Sequence, residues 1–514
     1  MKMNKLSLLA LLGLAGAANA DFLIPVDTST HVDLTPIIAI EQGEVDDNAI
    51  GRDLPFTFNF FGESSRTYNW GAGDVTYTYN KVSVNANGDI NFVDEFHYGE
   101  DDLYRSWRHY RPSHLALVPR IAPYGEDLYQ FNNGEWTDGQ GNFTRPIGHI
   151  WEYAEPLGAY YAITWQNAVN FAGFPTTDLN ERCNFQAVLF NQATIIDGFA
   201  FQPGDIAFSY NRLGLNNDRQ YFRQTTSDTA NGREPAGTAF IGLTRGNGNF
   251  QLTDNLGLWP NGQNRAPSFD DLPTGKTVGD IVTIPNNDAQ RFPGFMSGMV
   301  IVNEYAPHPR PRGQVFAQDS NYGAEVKGLK YDDRPFLVPG SVGPSKQFFL
   351  YRPNGANGYN LSIESTNPNT INGQLVVDGA QPAAVMFEFR NAADEVVDTA
   401  IASIASNGNF SIKAPAGTFK MRVKHENYLG LAKDVNTAVA NTGTWAIKSG
   451  DIDRDNVVTI FDYIELSNAF DTAASFDSAN LVPNFNRYAD LDGDGNVTIF
   501  DYIILSNNFD VSGD

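Results

Sequence analysis

The C-terminal part of the chain contains a 20-residue segment that occurs twice, and this duplication constrains the fold more than any other feature of the sequence. The segment DIDRDNVVTIFDYIELSNAF at 451–470 returns 39 residues later as DLDGDGNVTIFDYIILSNNF at 490–509, with 14 of 20 positions identical. Each copy starts with aspartates at alternating positions and continues into a stretch with apolar residues at helical spacing. We therefore predict two copies of one loop–helix unit.

The oxygen-bearing side chains of each copy have the spacing of a calcium-binding loop. Ca²⁺ takes about six to eight oxygen ligands, and such a loop supplies them from positions 1, 3, 5, 7, 9 and 12, with a backbone carbonyl at position 7. Position 6 needs a positive φ, which suits Gly495 better than Asn456, so we expect the first site to be slightly weaker. Without metal the carboxylates repel one another, so folding and calcium binding should be linked. The predicted ligands of two Ca²⁺ ions are Asp451, Asp453, Asp455, Val457 (carbonyl), Thr459 and Asp462 in the first loop, and Asp490, Asp492, Asp494, Asn496 (carbonyl), Thr498 and Asp501 in the second.

The duplicated loop–helix resembles the type I dockerin module. This resemblance implies that the pair binds two Ca²⁺ ions and docks on a cohesin domain, with positions 10 and 11 of each loop helping to select the partner. These positions hold Ile460, Phe461, Ile499 and Phe500, where the family often has small or hydroxyl residues. The same four side chains could instead form core contacts within the module, and the sequence leaves both interpretations open.

Residues 21–255 alternate between strand-like segments and turn residues. Segments rich in Phe, Tyr, Val and Ile, such as LPFTFNFFG (54–62) and KVSVNANGDINFV (81–93), predict β-strands, and Asn87-Gly88 predicts a tight hairpin. Together with RIAPYGEDLYQF (120–131), AITWQNAVNF, NFQAVLF and GDIAFSYNRL, they resemble the extracellular nidogen-like (NIDO) domain. The resemblance implies binding to matrix or to adhesion partners, without agreed catalytic residues. An insertion at 94–117 departs from that family.

The remaining chain is divided by its strand pattern. Residues 256–370 are rich in turn residues and contain short strands, but they indicate no particular fold. Residues 371–447 regain the strand pattern and resemble the carboxypeptidase-regulatory-like sandwich, and residues 448–514 form the dockerin-like module. The sequence thus predicts an all-β, multi-domain protein of β-sandwiches with a small C-terminal α-helical calcium-loop module.

The N-terminus and the charge balance bear on location and partners. Lys2 and Lys5 precede a short apolar run and an Ala-Asn-Ala site, so residues 1–20 read as a signal peptide of an exported protein, secreted or associated with the cell surface. We predict no transmembrane segment, because no later run offers 18 apolar residues. With 35 Lys+Arg against 60 Asp+Glu, the net charge of −25 argues against binding to nucleic acid.

The favoured function is a non-catalytic binding or adhesion protein with a calcium-dependent docking module. Its partners would be a cohesin-like domain or a cell-surface or matrix protein, with polysaccharide as a further possibility. No residue is assigned to catalysis, because no nucleophile, zinc or phosphate-loop motif occurs. One alternative is a dockerin-bearing enzyme of polysaccharide breakdown, with an active site at 94–117 or 256–363. Another is a purely structural calcium clamp without a partner.

Overall fold

The computed structural model describes residues 22–42, 49–69, 74–92, 119–125, 128–129, 148–170, 182–213, 238–244, 300–303, 343–355, 358–382, 384–425, 427–473, 486 and 488–514. These ranges are mostly β-structure, with a small helical part at the C-terminus, which confirms the predicted fold class. None of their helices is long and apolar enough to cross a membrane. The predicted signal peptide, the insertion at 94–117 and most of 256–363 lie outside the described residues.

The described part of the N-terminal domain has two large antiparallel sheets and two hairpins, β3–β4 and β12–β13. One has eight strands in the order β1-β9-β10-β11-β14-β17-β18, with β8 beside β10, and the other has six in the order β16-β15-β7-β6-β5-β2. The elements in chain order are β1 (Val32–Asp33), α1 (Thr35–Gln42), β2 (Ala49–Asp53), β3 (Ser65–Asn69), β4 (Asp74–Thr78), β5 (Lys81–Asn85), β6 (Ile90–Asn91), β7 (Arg120–Gly125), β8 (Leu128–Tyr129), β9 (His149–Ala154), β10 (Tyr160–Asn170), β11 (Arg182–Phe190), β12 (Thr194–Ile196), β13 (Phe199–Phe201), β14 (Ile206–Arg212), β15 (Thr238–Thr244), β16 (Val300–Asn303), β17 (Gln347–Pro353) and β18 (Tyr359–Ser365).

The core of this domain lies between the two sheets. Trp165 and Phe185 stack there with ring centroids 5.1 Å apart, and Cys183 is buried beside them. Because successive side chains of a strand point to opposite faces, the outer face of the eight-stranded sheet carries a second apolar cluster. In that cluster Phe190 stacks on Phe201 of the β12–β13 hairpin at 4.0 Å between ring centroids. The eight-stranded sheet is therefore covered on both faces.

The hairpin predicted at Asn87-Gly88 is confirmed. β5 and β6 pair antiparallel, with Val84 opposite Ile90. Gly88 has a φ of +80°, and a Cβ at this position would lie 2.0 Å from the carbonyl oxygen of Tyr124. Only glycine fits both the backbone conformation and the close approach.

Strands from the region without a predicted fold complete the N-terminal sheets. β16 pairs with β15, β17 pairs with β14, and β18 forms the edge next to β17. Arg352 on β17 binds the buried carboxylate of Asp205, with its Nη2 atom 2.7 Å from Oδ2. Strands β16, β17 and β18 are thus part of the N-terminal sandwich.

A smaller sandwich follows. It packs a three-stranded sheet, β22-β19-β25, against a four-stranded sheet, β21-β20-β23-β24, and only β19 and β25 pair in parallel. Trp445 and Phe387 meet between the sheets with ring centroids 5.2 Å apart. The strands are β19 (Asn369–Val377), β20 (Ala384–Arg390), β21 (Val396–Ser403), β22 (Asn409–Ala414), β23 (Thr418–Val423), β24 (Leu431–Asn436) and β25 (Asn441–Ile447).

The C-terminal module consists of two loop–helix units, as the duplication predicts. Its elements are α2 (Ile460–Ala469), β26 (Thr472–Ala473), β27 (Asn496–Val497) and α3 (Ile499–Asn507). Leu466 and Leu505 pack in its core together with Leu429, which follows β23 of the small sandwich. Because one apolar core takes side chains from both parts, the sandwich and the helical module form a continuous unit.

Candidate calcium centre and exposed apolar face

Each helix of the module begins at the end of an aspartate loop. Thr459 and Thr498 are the N-cap residues, and their Oγ1 atoms accept the backbone N–H of the residue two positions later. Asp462 and Asp501 close the capping boxes, because each accepts the backbone N–H of its threonine at 2.7 Å. This arrangement satisfies free donors at each helix start and fixes the position-12 carboxylate. The threonine hydroxyls, which are predicted ligands at position 9, serve as helix caps.

Three predicted ligands of the first loop come together. Asp451, Asp453 and Asp462 each offer a carboxylate oxygen, and these oxygens lie within 4.8 Å of one another. Asp462 is oriented by the backbone N–H of Ile452, 2.6 Å from its Oδ1 atom. Asp455 is not part of this group, and its Oδ1 accepts the N–H of Val457 at 2.9 Å.

The second loop repeats this geometry with a different third member. Oxygens of Asp490, Asp492 and Asp494 lie within 4.8 Å of one another. Asp501 stands apart from that group, and its Oδ1 accepts the N–H of Leu491 at 2.6 Å. Hard carboxylate oxygens at this density are the donor set that Ca²⁺ prefers, and the residues present fit the ion.

Position 6 of both loops needs the left-handed backbone region, as the sequence predicts. Asn456 has a φ of +72° and Gly495 a φ of +87°. The backbone N–H of each donates to the first aspartate of its loop, at 3.1 Å to Asp451 Oδ2 and 2.9 Å to Asp490 Oδ2. The sharp turn thus orients the position-1 carboxylate in both copies.

The two loops are tied to each other through the segments that follow the helices. After α2, β26 pairs with β27 at the end of the second loop. After α3, the backbone N–H of Asp510 donates to the carbonyl of Val458 at 2.9 Å, and that of Val458 to the carbonyl of Val511. The segment that follows each helix is therefore hydrogen-bonded to the loop of the other unit. Order in one loop thus supports order in the other.

Burial disfavours the charged form of several loop carboxylates in the absence of a cation. Desolvation raises the pKa of Asp490 to about 6, and the nearby charge of Asp501 acts in the same direction. Burial also raises the pKa values of Asp451, Asp453 and Asp462. A bound divalent cation would favour their charged forms.

Contacts with the small sandwich were not foreseen from the sequence. Lys424, which follows β23, pairs with the carboxylate of Asp451. Asn508 donates from Nδ2 to Asp378 Oδ2 at 2.7 Å, and the Ala380 N–H donates to the carbonyl of Leu491 at 2.8 Å. Asn508 offered a signal in the sequence, because this polar residue replaces the Ala469 of the first repeat.

The residues at positions 10 and 11 lie on the surface of the module. Phe461 is 62% exposed and Phe500 61%, while Ile460 and Ile499 are both 52% exposed. They belong to one apolar face of α2 and α3, on which Tyr463 and Tyr502 meet edge to face with ring centroids 5.9 Å apart. We call this the apolar face; its members are Ile460, Phe461, Tyr463, Ile464, Ile499, Phe500, Tyr502 and Ile503. Exposure of this extent does not fit a core role within the module.

The same segment matches a known family. The Dockerin type I domain family matches residues 449–510. These residues form a type I dockerin domain. Domains of this family bind calcium, in agreement with the carboxylate groups described above. No curated protein matches the chain.

Two similar solved structures are complexes from Acetivibrio cellulolyticus. They are described as an N-terminal and a C-terminal interface mutant of a type II cohesin–X–dockerin complex. The matched chains are 23% and 22% identical, with 28% of this chain and 98% of each matched chain covered, and the TM-score is 0.23 for both. The nidogen-like and carboxypeptidase-regulatory-like assignments stay predictions from the sequence.

Proposed function

We propose that this protein is an exported, non-catalytic binding protein whose dockerin domain holds two calcium ions and docks on a cohesin-like partner. The observation that carries the proposal is the apolar face, which repeats Ile-Phe at the start of both dockerin helices and leaves all four side chains more than half exposed. Apolar patches of this kind on a soluble protein are typical of interaction surfaces.

Calcium prepares this face. Ile460 and Ile499 are the first residues of α2 and α3, and each follows directly after the N-cap that its loop positions. An ion held by the aspartates of each loop would fix the loop and hence the helix start. The Val457 and Asn496 carbonyls would complete the two shells, with Thr459 and Thr498 acting as helix caps or through water.

The small sandwich leaves the face free for a partner. Its polar contacts to the dockerin reach Asp451, Asn456, Tyr488, Leu491, Asn508 and Asp514, none of which belongs to the apolar face. The two modes of packing are therefore compatible: the sandwich supports the loop side, and the partner takes the helix side.

The energy available at the face suits reversible docking. Fully burying a Phe side chain stabilises by about 1.5–3 kcal/mol, so covering the exposed part of one phenylalanine would contribute about 1–2 kcal/mol. Replacing Phe461 or Phe500 should then weaken binding by about tenfold, and replacing both by considerably more.

The test uses the full chain as bait on the secreted and envelope fractions of the producing cell, with calcium and then with chelator. Retention of a cohesin-like protein only with calcium, lost in the double variant F461D/F500D, supports the proposal. Val439→Asp is the matched control, because Val439 is 56% exposed and lies in a turn of the small sandwich. Loss of the partner in V439D as well, or its retention by F461D/F500D, would contradict docking through the apolar face.

The N-terminal sandwich would carry the second binding function, towards matrix, polysaccharide or a surface protein, as its nidogen-like resemblance implies. The enzyme alternative places its active site at 94–117 or 256–363, largely outside the described residues. Release of reducing sugar from a polysaccharide panel by the purified chain would favour that alternative over a binding role. The structural-clamp alternative predicts two bound ions and no retained partner in the same bait experiment.

A further inference from the structure

A lysine of the small sandwich is built into the first calcium loop. Lys424 Nζ hydrogen-bonds to Oδ2 of Asp451, the position-1 aspartate, whose side chain is fully buried. The same Nζ donates to the carbonyl of Tyr428 at 2.9 Å, so the sandwich backbone holds the ammonium group in place. The contact joins residues 27 positions apart in two different modules.

The position-1 aspartate of the second loop is held by backbone groups instead. Asp490, the equivalent of Asp451, accepts the backbone N–H of Gly493 and Gly495 at 2.9 Å each. Across the described residues, no lysine or arginine forms an ion pair with Asp490. Lys424 therefore offsets the charge of Asp451, whereas no lysine or arginine among the described residues does the same for Asp490.

We propose that Lys424 is a positioning residue that makes the two calcium loops unequal, because it fixes the Asp451 carboxylate and lowers the calcium affinity of the first loop below that of the second. A positive group that shares a ligand carboxylate with a divalent cation repels that cation and withdraws charge from the ligand. This inference rests on the proposed calcium function of the loops.

A second residue of the first loop, Asn456, also contacts the sandwich. The side chain of Asn456 accepts the backbone N–H of Gly430, which precedes β24, at 2.7 Å from Oδ1. Position 1 and position 6 of the first loop therefore both contact the sandwich. The second loop contacts the sandwich through the backbone carbonyl of Leu491, so a side-chain ion pair to a predicted ligand distinguishes the first loop.

Calcium titration of the full chain tests the sign of this effect. In a D490N background, which isolates the first loop, K424M should raise its calcium affinity by about tenfold or more, while K424R keeps the charge and should stay close to the parent. Lys420→Met is the matched control, because it removes the same charge from β23, the strand that Lys424 follows, at a lysine that pairs with Asp394. A structural loss at Lys424 would lower the affinity, so a fall or no change in K424M overturns the proposal.

A second measurement does not depend on how K424M folds. In the otherwise unaltered chain, D451N should remove the weaker of two calcium sites and D490N the tighter one. The reverse order, or two equal sites, overturns the inference but leaves the calcium function intact. Absence of any calcium binding by the unaltered chain would instead reject both the inference and the proposed function.

Discussion

Gly379 gives a direct test of how tightly the small sandwich is joined to the dockerin. A Cβ at this glycine would lie 2.5 Å from the carbonyl oxygen of Leu491 and 3.1 Å from the Ser449 side chain. The Leu491 carbonyl also accepts the N–H of Ala380 at 2.8 Å, so the obstacle is backbone that is held in place. Substitution by alanine must therefore separate the two modules at this point.

The loss of stability expected for G379A follows from these contacts. Overpacking of this kind costs about 1–3 kcal/mol, and a weakened hydrogen bond from Ala380 adds about 0.5–1.5 kcal/mol. We expect G379A to lower the free energy of unfolding of the C-terminal unit by about 2–4 kcal/mol. Gly51→Ala is the control, because a Cβ there meets nothing within 4 Å, and it should stay within about 0.5 kcal/mol of the parent.

Scanning calorimetry of the full chain, with and without calcium, distinguishes the outcomes. The transition that shifts with calcium reports the dockerin and whatever unfolds together with it. G379A should lower that transition by several degrees and should leave the calcium-independent transition of the N-terminal domain in place. An unchanged calcium-dependent transition would show that 378–380 do not pack against the dockerin as described.

Three further predictions concern the helix cap, a buried ion pair and pH. T498A should destabilise the dockerin by about 1 kcal/mol in thermal unfolding, and T498S should restore it, because the hydroxyl caps α3. R52M leaves the buried carboxylate of Glu152 without its 2.9 Å ion pair and should cost the N-terminal domain about 3 kcal/mol in denaturant unfolding. The raised pKa of Asp490, about 6 against an ordinary 3.8, means that the calcium-free module holds a proton that the unfolded chain releases. Its stability should therefore fall as the pH rises from about 4 to about 6, while its calcium affinity rises over the same range, as parallel melts and calcium titrations would show.

Features encoded within a few consecutive residues were predictable. The positive φ at position 6 of each calcium loop depends on one residue, Asn456 or Gly495, and the turn at Gly88 depends on one backbone angle. Short-range hydrogen bonds and steric limits decide such features almost independently of the rest of the chain. The two C-terminal helices, the loop turns and the hairpin therefore appear where the sequence predicts them, whereas the short helix α1 was not predicted.

Features that depend on distant partners were not predictable. Strand β17 pairs with β14 across more than a hundred residues, and the local pattern around Phe349 does not distinguish one sheet from another. No sequence pattern distinguishes Lys424 from an ordinary surface lysine, and only the packing of the two modules brings it to Asp451. Sequence patterning identifies buried faces, but the choice among several possible partners is made by the assembled core.

The two repeats differ where their surroundings differ, and this bears on why the apolar face exists. Asn508, in place of the Ala469 of the first repeat, binds Asp378 of the sandwich, and Arg454, in place of Gly493, lies over the ring of Tyr488 at 5.2 Å. These substitutions have packing reasons within the chain.

The apolar face, in contrast, does not differ between the two repeats. Its residues are identical in both repeats, although they make few contacts that would require the same side chain in each copy. The exposed Phe461 and Phe500 lower solubility and do not add to the core. Intramolecular packing therefore does not explain why both copies keep the same large apolar side chains in water. A partner that covers them does, and the same reasoning predicts that polar substitutions across the face preserve folding and calcium binding while they abolish docking.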